Sequence, residues 1–408
     1  MCGALQSRSM TAESEGSKRR DDGMLAGVNV ALGVTGSIAA VKTVELAHEL
    51  RREGASVRAV MTQSATGILH PWALEFATEH DVVTEITGGV EHVALCGRDE
   101  WADVLLVAPS TANTVGKMAS AIDDSTVTTC ATTALGTGLP VVVAPAMHEP
   151  MYDHPGVLDA IDTLESWGVS FVDPRVEEGK AKIATEEAIV LATARAAGPR
   201  PLAGEHVVVT SGATSESVDP VRVLTNRSSG KTGRALARSL YVAGADVTLV
   251  HPDGDVPYAT VVDVETAVEM TEAVLGVADE ADALVSVAAI SDYTVANADE
   301  KIRSGREDLS LELEPTRKLI DTVRDAHPDL PIVGFKAETS GDDAAMVEQA
   351  RATLERAGLA FVVANDASVM GADETRALLV HAEGYAAFAG SKDALGREVA
   401  AALAEVLS

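Results

Sequence analysis

Short runs of β-branched and apolar residues alternate with helix-length stretches along nearly the whole chain, and this alternation constrains the fold more than any other feature. Val28–Gly33, Ser56–Met61, Val104–Ala108, Pro140–Ala144 and Val169–Val172 have the length and composition of buried strands. Ile38–Arg52, Ala112–Ala119 and a stretch within Gly156–Trp167 read as helices between them. Parallel strands need a crossover, and a helix supplies it. The pattern therefore predicts a parallel sheet covered on both faces. At 196–204 the sequence AAGPRPLAG interrupts the pattern with prolines and glycines, the composition of a linker. A second series follows, with strands at Val207–Thr210, Val247–Val250, Leu284–Val287, Ile332–Phe335, Phe361–Val363 and Leu378–His381. Its helices are expected at Lys231–Ala243, Thr266–Leu275, Asp342–Ala357 and Lys392–Leu407. The fold class is α/β, with two doubly wound domains at 26–197 and 206–408, a linker at 198–205, and a polar, aperiodic tail over 1–25.

Charge narrows the partners. The 408 residues carry 62 Asp and Glu against 32 Lys and Arg, a formal net charge of −30. That balance argues against nucleic acid or an anionic membrane as a partner. Salt screens such self-repulsion, so a halophilic setting suits it. No apolar run is long enough to cross a bilayer, and no cationic and apolar leader is visible, so the expectation is cytoplasmic. The cysteines (Cys2, Cys96, Cys130) have no CxxC spacing and suggest neither a disulfide framework nor a zinc site.

Against this acidic background residues 220–245 contain no acid, where random placement would put roughly four. They hold Arg222, Arg227, Lys231, Arg234 and Arg238, and a turn Asn226-Arg227-Ser228-Ser229-Gly230-Lys231-Thr232-Gly233 running into a helical pattern. Backbone amides at a helix start, beside fixed cations, make an anion site, most naturally for phosphate. Lys231 invites a P-loop reading, but position 225 is Thr where that loop needs Gly, which disfavours an ordinary NTPase. In the first domain the strand ending at Gly33 runs into Val34-Thr35-Gly36-Ser37, a small-residue turn suited to phosphate. Its Gly-x-x-Gly spacing is not the dinucleotide fingerprint, so a nicotinamide dehydrogenase is disfavoured. Two further strands end in Pro109-Ser110-Thr111-Ala112-Asn113-Thr114 and Pro145-Ala146-Met147-His148-Glu149-Pro150-Met151-Tyr152. Ligands of open α/β sheets sit beyond such strand ends.

These blocks, with Gly36-Ser37-Ile38-Ala39-Ala40 and Glu91-His92-Val93-Ala94-Leu95, resemble the flavin-dependent phosphopantothenoylcysteine decarboxylases. The DPVRVLTNRSSGKTG block (219–233) resembles the phosphopantothenate–cysteine ligases. Together they are similar to the bifunctional coenzyme A biosynthesis family over about residues 26–408, in an archaeal-looking version. The resemblance implies a flavodoxin-like domain followed by a Rossmann-like one. It implies FMN as redox cofactor, contacted by Gly36, Ser37, Thr62, Ser64, Pro109, Ser110, Thr111, Ala112 and Asn113. Oxidation of the cysteinyl carbon would give a thioaldehyde from which the neighbouring carboxylate leaves as CO2. His92 would be the base or positioning group, with Met147, His148, Met151 and Tyr152 around the substrate. Read alone, His92 is an ordinary helix-surface histidine. Bacterial members have Asn in place of His148, and a lid cysteine that the stretch 177–184 lacks; Lys180 or Lys182 would act as the acid or hold the substrate phosphate.

For the second domain the resemblance implies activation of 4'-phosphopantothenate by CTP, with ATP the alternative, and Mg2+. Asn226 would bind the acyl-cytidylate and Arg222 would belong to the same site. Ser229, Gly230, Lys231, Ser286, Val287, Ala288, Asp292, Phe335, Asn365 and Asp366 would contact substrate or nucleotide, and Lys301 would come from a lid over the triphosphate. Two lysines of bacterial members are replaced by Thr353 and Ala357, for which Arg351 or Arg356 is the expected compensation. The partners implied are small molecules, with trimeric decarboxylase and dimeric ligase contacts in a homo-oligomer.

Overall fold

The computed structural model of the chain describes residues 22–177, 180–251, 253–303, 309–338, 342–366 and 374–408. It divides into two compact units, one ending at Ala197 and the other beginning at Gly198. Leu202, within the proline- and glycine-rich stretch, is buried, and its amide donates to the Ala243 carbonyl at 3.0 Å, so this stretch forms the first turn of the second unit.

The first unit has a five-stranded sheet. In space the strands run Ser56–Met61, Asn29–Val34, Val104–Ser110, Val141–Pro145, Ser170–Phe171, every pair parallel. In chain order this is 2-1-3-4-5, the flavodoxin-like arrangement. Ala31, Leu105, Val107, Val141 and Val143 share one core with the helices Glu91–Cys96, Ala112–Ala119, Thr126–Thr137 and Pro155–Ser166. The alternating residues Val30, Leu32, Leu106 and Val142 are equally buried, which requires cover on the opposite face. Helices Thr43–Arg52 and Glu186–Ala197, which pack on each other, provide it. The expected Ile38–Arg52 helix begins instead as a 3₁₀ turn over Ile38–Lys42, capped by Ser37. Leu25, expected in the tail, is fully buried, and its amide donates to the Glu53 carbonyl at 2.8 Å.

The second unit has an eight-stranded sheet: Thr260–Val262, Asp246–Val250, His206–Thr210, Ala283–Ser286, Ile332–Glu338, Phe361–Asp366, Glu374–Val380, Tyr385–Ser391. The first six are parallel in the order 3-2-1-4-5-6, the Rossmann order, and the last two are antiparallel. One face packs against Ala267–Val277, Leu319–Ala326 and Asp343–Ala357. Across the other run Lys231–Val242 and Lys392–Leu407, joined by an Arg238–Asp393 ion pair at 2.6 Å. Two small hairpin-like pairs, Ser215–Asp219 with Arg222–Thr225 and Tyr293–Val295 with Leu313–Pro315, stand apart from the main sheet. No helix among the described residues is long and apolar enough to cross a membrane.

Truncating Leu25 tests whether the segment before the first strand belongs to the first unit. Leu25→Ala should lower that unit's stability by roughly 2–5 kcal/mol in chemical denaturation, while Leu25→Met costs less than about 1.5 kcal/mol. Equal stability of Leu25→Ala and the parent would show the segment detached.

Candidate functional site

In a parallel sheet the carboxyl ends of the strands lie along one edge, and both units open a cleft there. In the first unit Thr35 Oγ1 donates to the Pro109 carbonyl at 2.8 Å, and Ser37 Oγ donates to the Ala146 carbonyl at 3.0 Å. These bonds tie together the ends of three strands that are distant in sequence. Gly36 lies between them against Ser64: a Cβ at 36 would sit 2.5 Å from Ser64 Oγ, so only glycine permits the approach. Thr62 Oγ1 lies 3.1 Å from Ser64 Oγ. Thr111 caps the Ala112–Ala119 helix, accepting from the Thr114 amide at 3.2 Å, and Ser125 caps Thr126–Thr137. The result is a hydroxyl-lined recess of about 350 Å³, holding Gly36, Thr62, Ser64, Thr111 and Asn113. Beside it Ser110 Oγ is fully buried with no hydrogen-bond partner, an acceptor or donor left for a ligand.

A second cleft of about 690 Å³ shares Gly36, Thr111 and Met151 with this recess. Its walls are more apolar, with Ile38, Val41, Ala146, Met147 and Ile183, and its polar groups are Ser37, Lys42, His148, Arg175 and Lys182. A three-stranded ribbon brings them together: Arg175–Glu177 pairs with Lys180–Lys182, which pairs with Met147–His148. His148 stands opposite Lys180 and Arg175 opposite Lys182. Lys42 and Arg175 carry no motif and escaped the sequence reading.

Several expected residues lie elsewhere. Pro109 and Ser110 are buried at the strand end and Ala112 opens the following helix, so none of them lines either cleft. Tyr152 is half-buried and packs against the first unit's core, and burial raises its phenol pKa above the usual value. His92 lies on the Glu91–Cys96 helix and reaches neither cleft of its own chain; its Nδ1 is buried with no partner. The side chain of Lys180 is outside the described residues, and only its strand position is given. Cys96 and Cys130 are free and buried in one cluster; a hydrogen bond to Cys96, with burial, raises the Cys130 pKa, which suits packing rather than reactivity.

The second unit's cleft, about 510 Å³, lies where the strand order reverses, between His206–Thr210 and Ala283–Ser286. The turn Ser228–Gly233 forms one wall, and Val287–Ile290 another. Thr210 Oγ1 shapes the second wall by accepting from the Val287 and Ala288 amides at 3.2 and 3.3 Å. Asn226 Nδ2 joins the walls through the Ala289 carbonyl at 3.0 Å. Phe335 and Asn365 close the floor, with Asp292, Lys318, Lys336, Thr375 and Lys392 around them. Lys318 pairs with Asp292, and Lys336 Nζ donates to Gln349 Oε1 at 3.3 Å. The Lys231–Val242 helix starts from Gly230 without a side-chain cap, and the positive end of its dipole lies at the cleft.

Here too some expectations need correcting. Ser286 is buried in the strand below the cleft and does not line it. Lys301 is exposed and off the lining. Arg222 is also off the lining: Nη1 donates to Asp219 Oδ2 at 2.8 Å and to the Ile302 carbonyl at 3.1 Å. Asp366 ends its strand opposite Glu338, and its side chain is outside the described residues. Neither Arg351 nor Arg356 supplies the expected compensation; Arg356 pairs with Asp321 at 2.8 Å, and the cleft's cations are Lys231, Lys318, Lys336 and Lys392. A signal for two of them was present. Lys231 and Lys392 each open a helix, where the helix dipole favours an acid.

Comparison with known proteins follows the same division. Residues 202–407 match the family described as DNA/pantothenate metabolism flavoprotein C-terminal domain, and residues 18–198 match the family described as Flavoprotein. The chain is 49% identical over 362 residues to the Coenzyme A biosynthesis bifunctional protein CoaBC of Thermococcus kodakarensis, covering 87% of this chain and 89% of that protein. It is 36% identical over 371 residues to the protein of the same name from Bacillus subtilis, covering 86% and 88%. A solved C-terminal domain of a coenzyme A biosynthesis bifunctional protein superposes with a TM-score of 0.44 at 28% identity, covering 51% of this chain and 98% of that one.

Asp219 gives a test of how the segment at Lys301 is held. Its carboxylate is buried, which alone would raise its pKa, but amides of Val221, Ile302 and Arg222 and the Arg222 charge overcome this and lower it. A depressed carboxylate pKa stabilises the folded state fully above about pH 4 and loses that contribution as pH falls through the folded value. At neutral pH Asp219→Asn should speed exchange of the Ile302 amide by about tenfold or more, read by hydrogen–deuterium exchange. Unchanged exchange would show that the segment is held by other contacts.

Proposed function

The chain belongs to the family of bifunctional coenzyme A biosynthesis proteins, and we propose that its two strand-end clefts divide the two reactions between them. The enzyme is a phosphopantothenate–cysteine ligase and a phosphopantothenoylcysteine decarboxylase. The observation that carries the division is chemical. One unit offers a hydroxyl-lined recess beside a mainly apolar wall that carries Lys42, Arg175 and Lys182, and the other offers four lysines around a helix start without a side-chain cap.

The first cleft fits FMN. The Gly36 approach to Ser64, the unpartnered Ser110 hydroxyl and the hydroxyls of Thr62, Ser64 and Thr111 suit a flavin phosphate and ring edge. Bound FMN supplies a reversible two-electron sink beside the substrate's cysteinyl carbon. Met147 and Met151 pack against the substrate, and His148 and Lys182 face its carboxylate and phosphate. His92 moves the proton, the general acid–base role that an imidazole takes. It does so in a neighbouring protomer's cleft, within the expected trimer. Exposed Ile38, Val41, Trp72 and Phe76, on elements that pack against Thr43–Arg52, supply apolar surface for that contact.

In the second cleft the carboxylate of 4'-phosphopantothenate attacks the α-phosphorus of CTP and pyrophosphate leaves. The cysteine amine then attacks the acyl carbon, forming the amide and releasing CMP. Lys231, Lys318, Lys336 and Lys392 oppose the negative charge that builds on the phosphates, and the positive end of the Lys231–Val242 helix dipole adds to them. Among the described residues no three His, Cys, Asp or Glu gather as a metal cage, and Asp292 is the lining carboxylate. Mg2+ would therefore arrive on the triphosphate, and no step is assigned to a protein-held metal. Exposed Val223, Tyr293 and Leu313 on the two small strand pairs, with Val221 in the turn before Arg222, offer the apolar surface for a ligase dimer.

Protein supplied with 4'-phosphopantothenate, cysteine and CTP should release pyrophosphate and CO2 in equal amounts. Pyrophosphate without CO2, from flavin-loaded protein, would favour a ligase whose first domain only binds flavin, the reading that the missing lid cysteine suggests. Gly36→Ala should lower FMN content and CO2 release by more than about tenfold while leaving pyrophosphate release intact. Full flavin occupancy in that variant would place the cofactor elsewhere.

A further inference from the structure

The far end of the second unit's cleft holds a polar group that the protein leaves unsatisfied. Thr375 lines the cleft yet is only 7% exposed, and among the described residues no group bonds to its hydroxyl. Asn365 also lines the cleft, half-buried, and its side-chain amide likewise has no partner among them. A buried hydroxyl without a bond is rare in a folded protein, because it has lost water and gained nothing in return. A ligand group at that place restores the bond.

The sheet sets these two side chains beside an aromatic ring. Val362, Ala364, Leu378 and Val380 pack into the core on one face. Side chains alternate along a strand, so Asn365 and Thr375 stand on the opposite face, and Phe335 does so by the same count from Ile332. In register Ala337, Asn365 and Ala377 lie side by side on three adjacent strands. Phe335 comes two residues before Ala337, and Thr375 two before Ala377 on the antiparallel strand. Phe335, Asn365 and Thr375 therefore form a diagonal row, with small alanines directly beside Asn365. Thr375 lies on the fourth strand over from His206–Thr210, which leads to the turn, roughly 19 Å at the usual strand spacing. A nucleotide whose phosphates meet Lys231 and its helix start carries its base toward this row.

A carboxamide offers both an acceptor and donors. It reads the N4 amino and N3 edge of cytosine and the N6 amino and N1 edge of adenine equally well. The next position differs: cytosine has the O2 carbonyl there, and adenine has a C2–H. A hydroxyl donates to the first and finds no acceptor in the second. We propose that Thr375 is a specificity-determining residue of the ligase, donating to O2 of a cytosine that Phe335 stacks and Asn365 pairs, so that CTP is selected over ATP. The proposal rests on the ligase reading of this cleft. A site built to bond a substrate group rejects an analogue that lacks it, because the site's own buried group is then left unpaired.

The test uses the full-length protein with its Thr375→Val and Thr375→Ser variants. Pyrophosphate release in the presence of 4'-phosphopantothenate and cysteine is followed against CTP, ATP and 2-thiocytidine triphosphate, whose sulfur is a weak acceptor in place of O2. Thermal unfolding is recorded alongside. Parent protein should prefer CTP. Thr375→Val, similar in shape but without the hydroxyl, should lower kcat/KM for CTP by about tenfold or more and leave that for ATP within about twofold. Thr375→Ser, which keeps the donor, should stay within about threefold of the parent on CTP. The parent should lose about tenfold when 2-thiocytidine triphosphate replaces CTP, and Thr375→Val should show no such loss. An equal loss for CTP and ATP in Thr375→Val, whether from a ribose contact or from lost packing, would overturn the proposal. So would an unchanged kcat/KM for CTP in that variant, or a parent that favours ATP. A parent that treats CTP and its 2-thio analogue alike would overturn it too, and that outcome does not depend on how the variants fold. Pyrophosphate released from neither CTP nor ATP would overturn the ligase reading itself and the proposal with it.

Discussion

Everything functional in this molecule depends on one property of parallel sheets: the strands end on the same edge. Loops and helix starts gather there. Where strand order reverses, neighbouring connections leave toward opposite faces and a crevice opens. The first unit reverses between Asn29–Val34 and Val104–Ser110, and Gly36 and Thr111 border its recess. The second reverses between His206–Thr210 and Ala283–Ser286, and Gly212 and Val287 border its cleft. The sites are placed by topology, and local side chains decide their chemistry.

Those side chains differ as the reactions do. The first recess is hydroxylated, with Lys117 paired to Asp124, and its larger neighbour sets Lys42, Arg175 and Lys182 into a mainly apolar wall, surroundings that suit a flat ring and a pantetheine-like chain with its phosphate. The second gathers lysines from four separate elements, in a protein whose acids outnumber its bases nearly two to one. Collecting cations costs repulsion among them, and an anionic triphosphate offsets it. Close backbone approach does the remaining work, at Gly36 in one unit and Gly230 in the other.

The strand-and-helix alternation was legible because each buried strand is a run of apolar residues between turn formers. The two doubly wound sheets follow from it, and most boundaries fall within a residue or two. The antiparallel Tyr385–Ser391 strand and the two small strand pairs were not legible, since exposed strands lack that apolar signature. Within the sites, glycines and strand-end hydroxyls were readable because their role is local. Arg222 lies off the cleft lining because it is held by Asp219 and the Ile302 carbonyl, contacts that a motif does not display. Tyr152 follows Met151 in the motif, yet it packs against the core. Lys392 lies far along the chain from the turn it faces, and nothing at that distance except its odd place at a helix start marks it.

Hydrogen–deuterium exchange of the full-length protein with each ligand in turn tests the two-cleft account most directly. FMN should protect amides around 36–38, 62–65 and 111–114 and leave 229–233 and 287–290 unchanged. CTP should do the reverse. Protection of 229–233 by FMN, or of the first unit's strand ends by CTP, would contradict the division of labour between the two sheets.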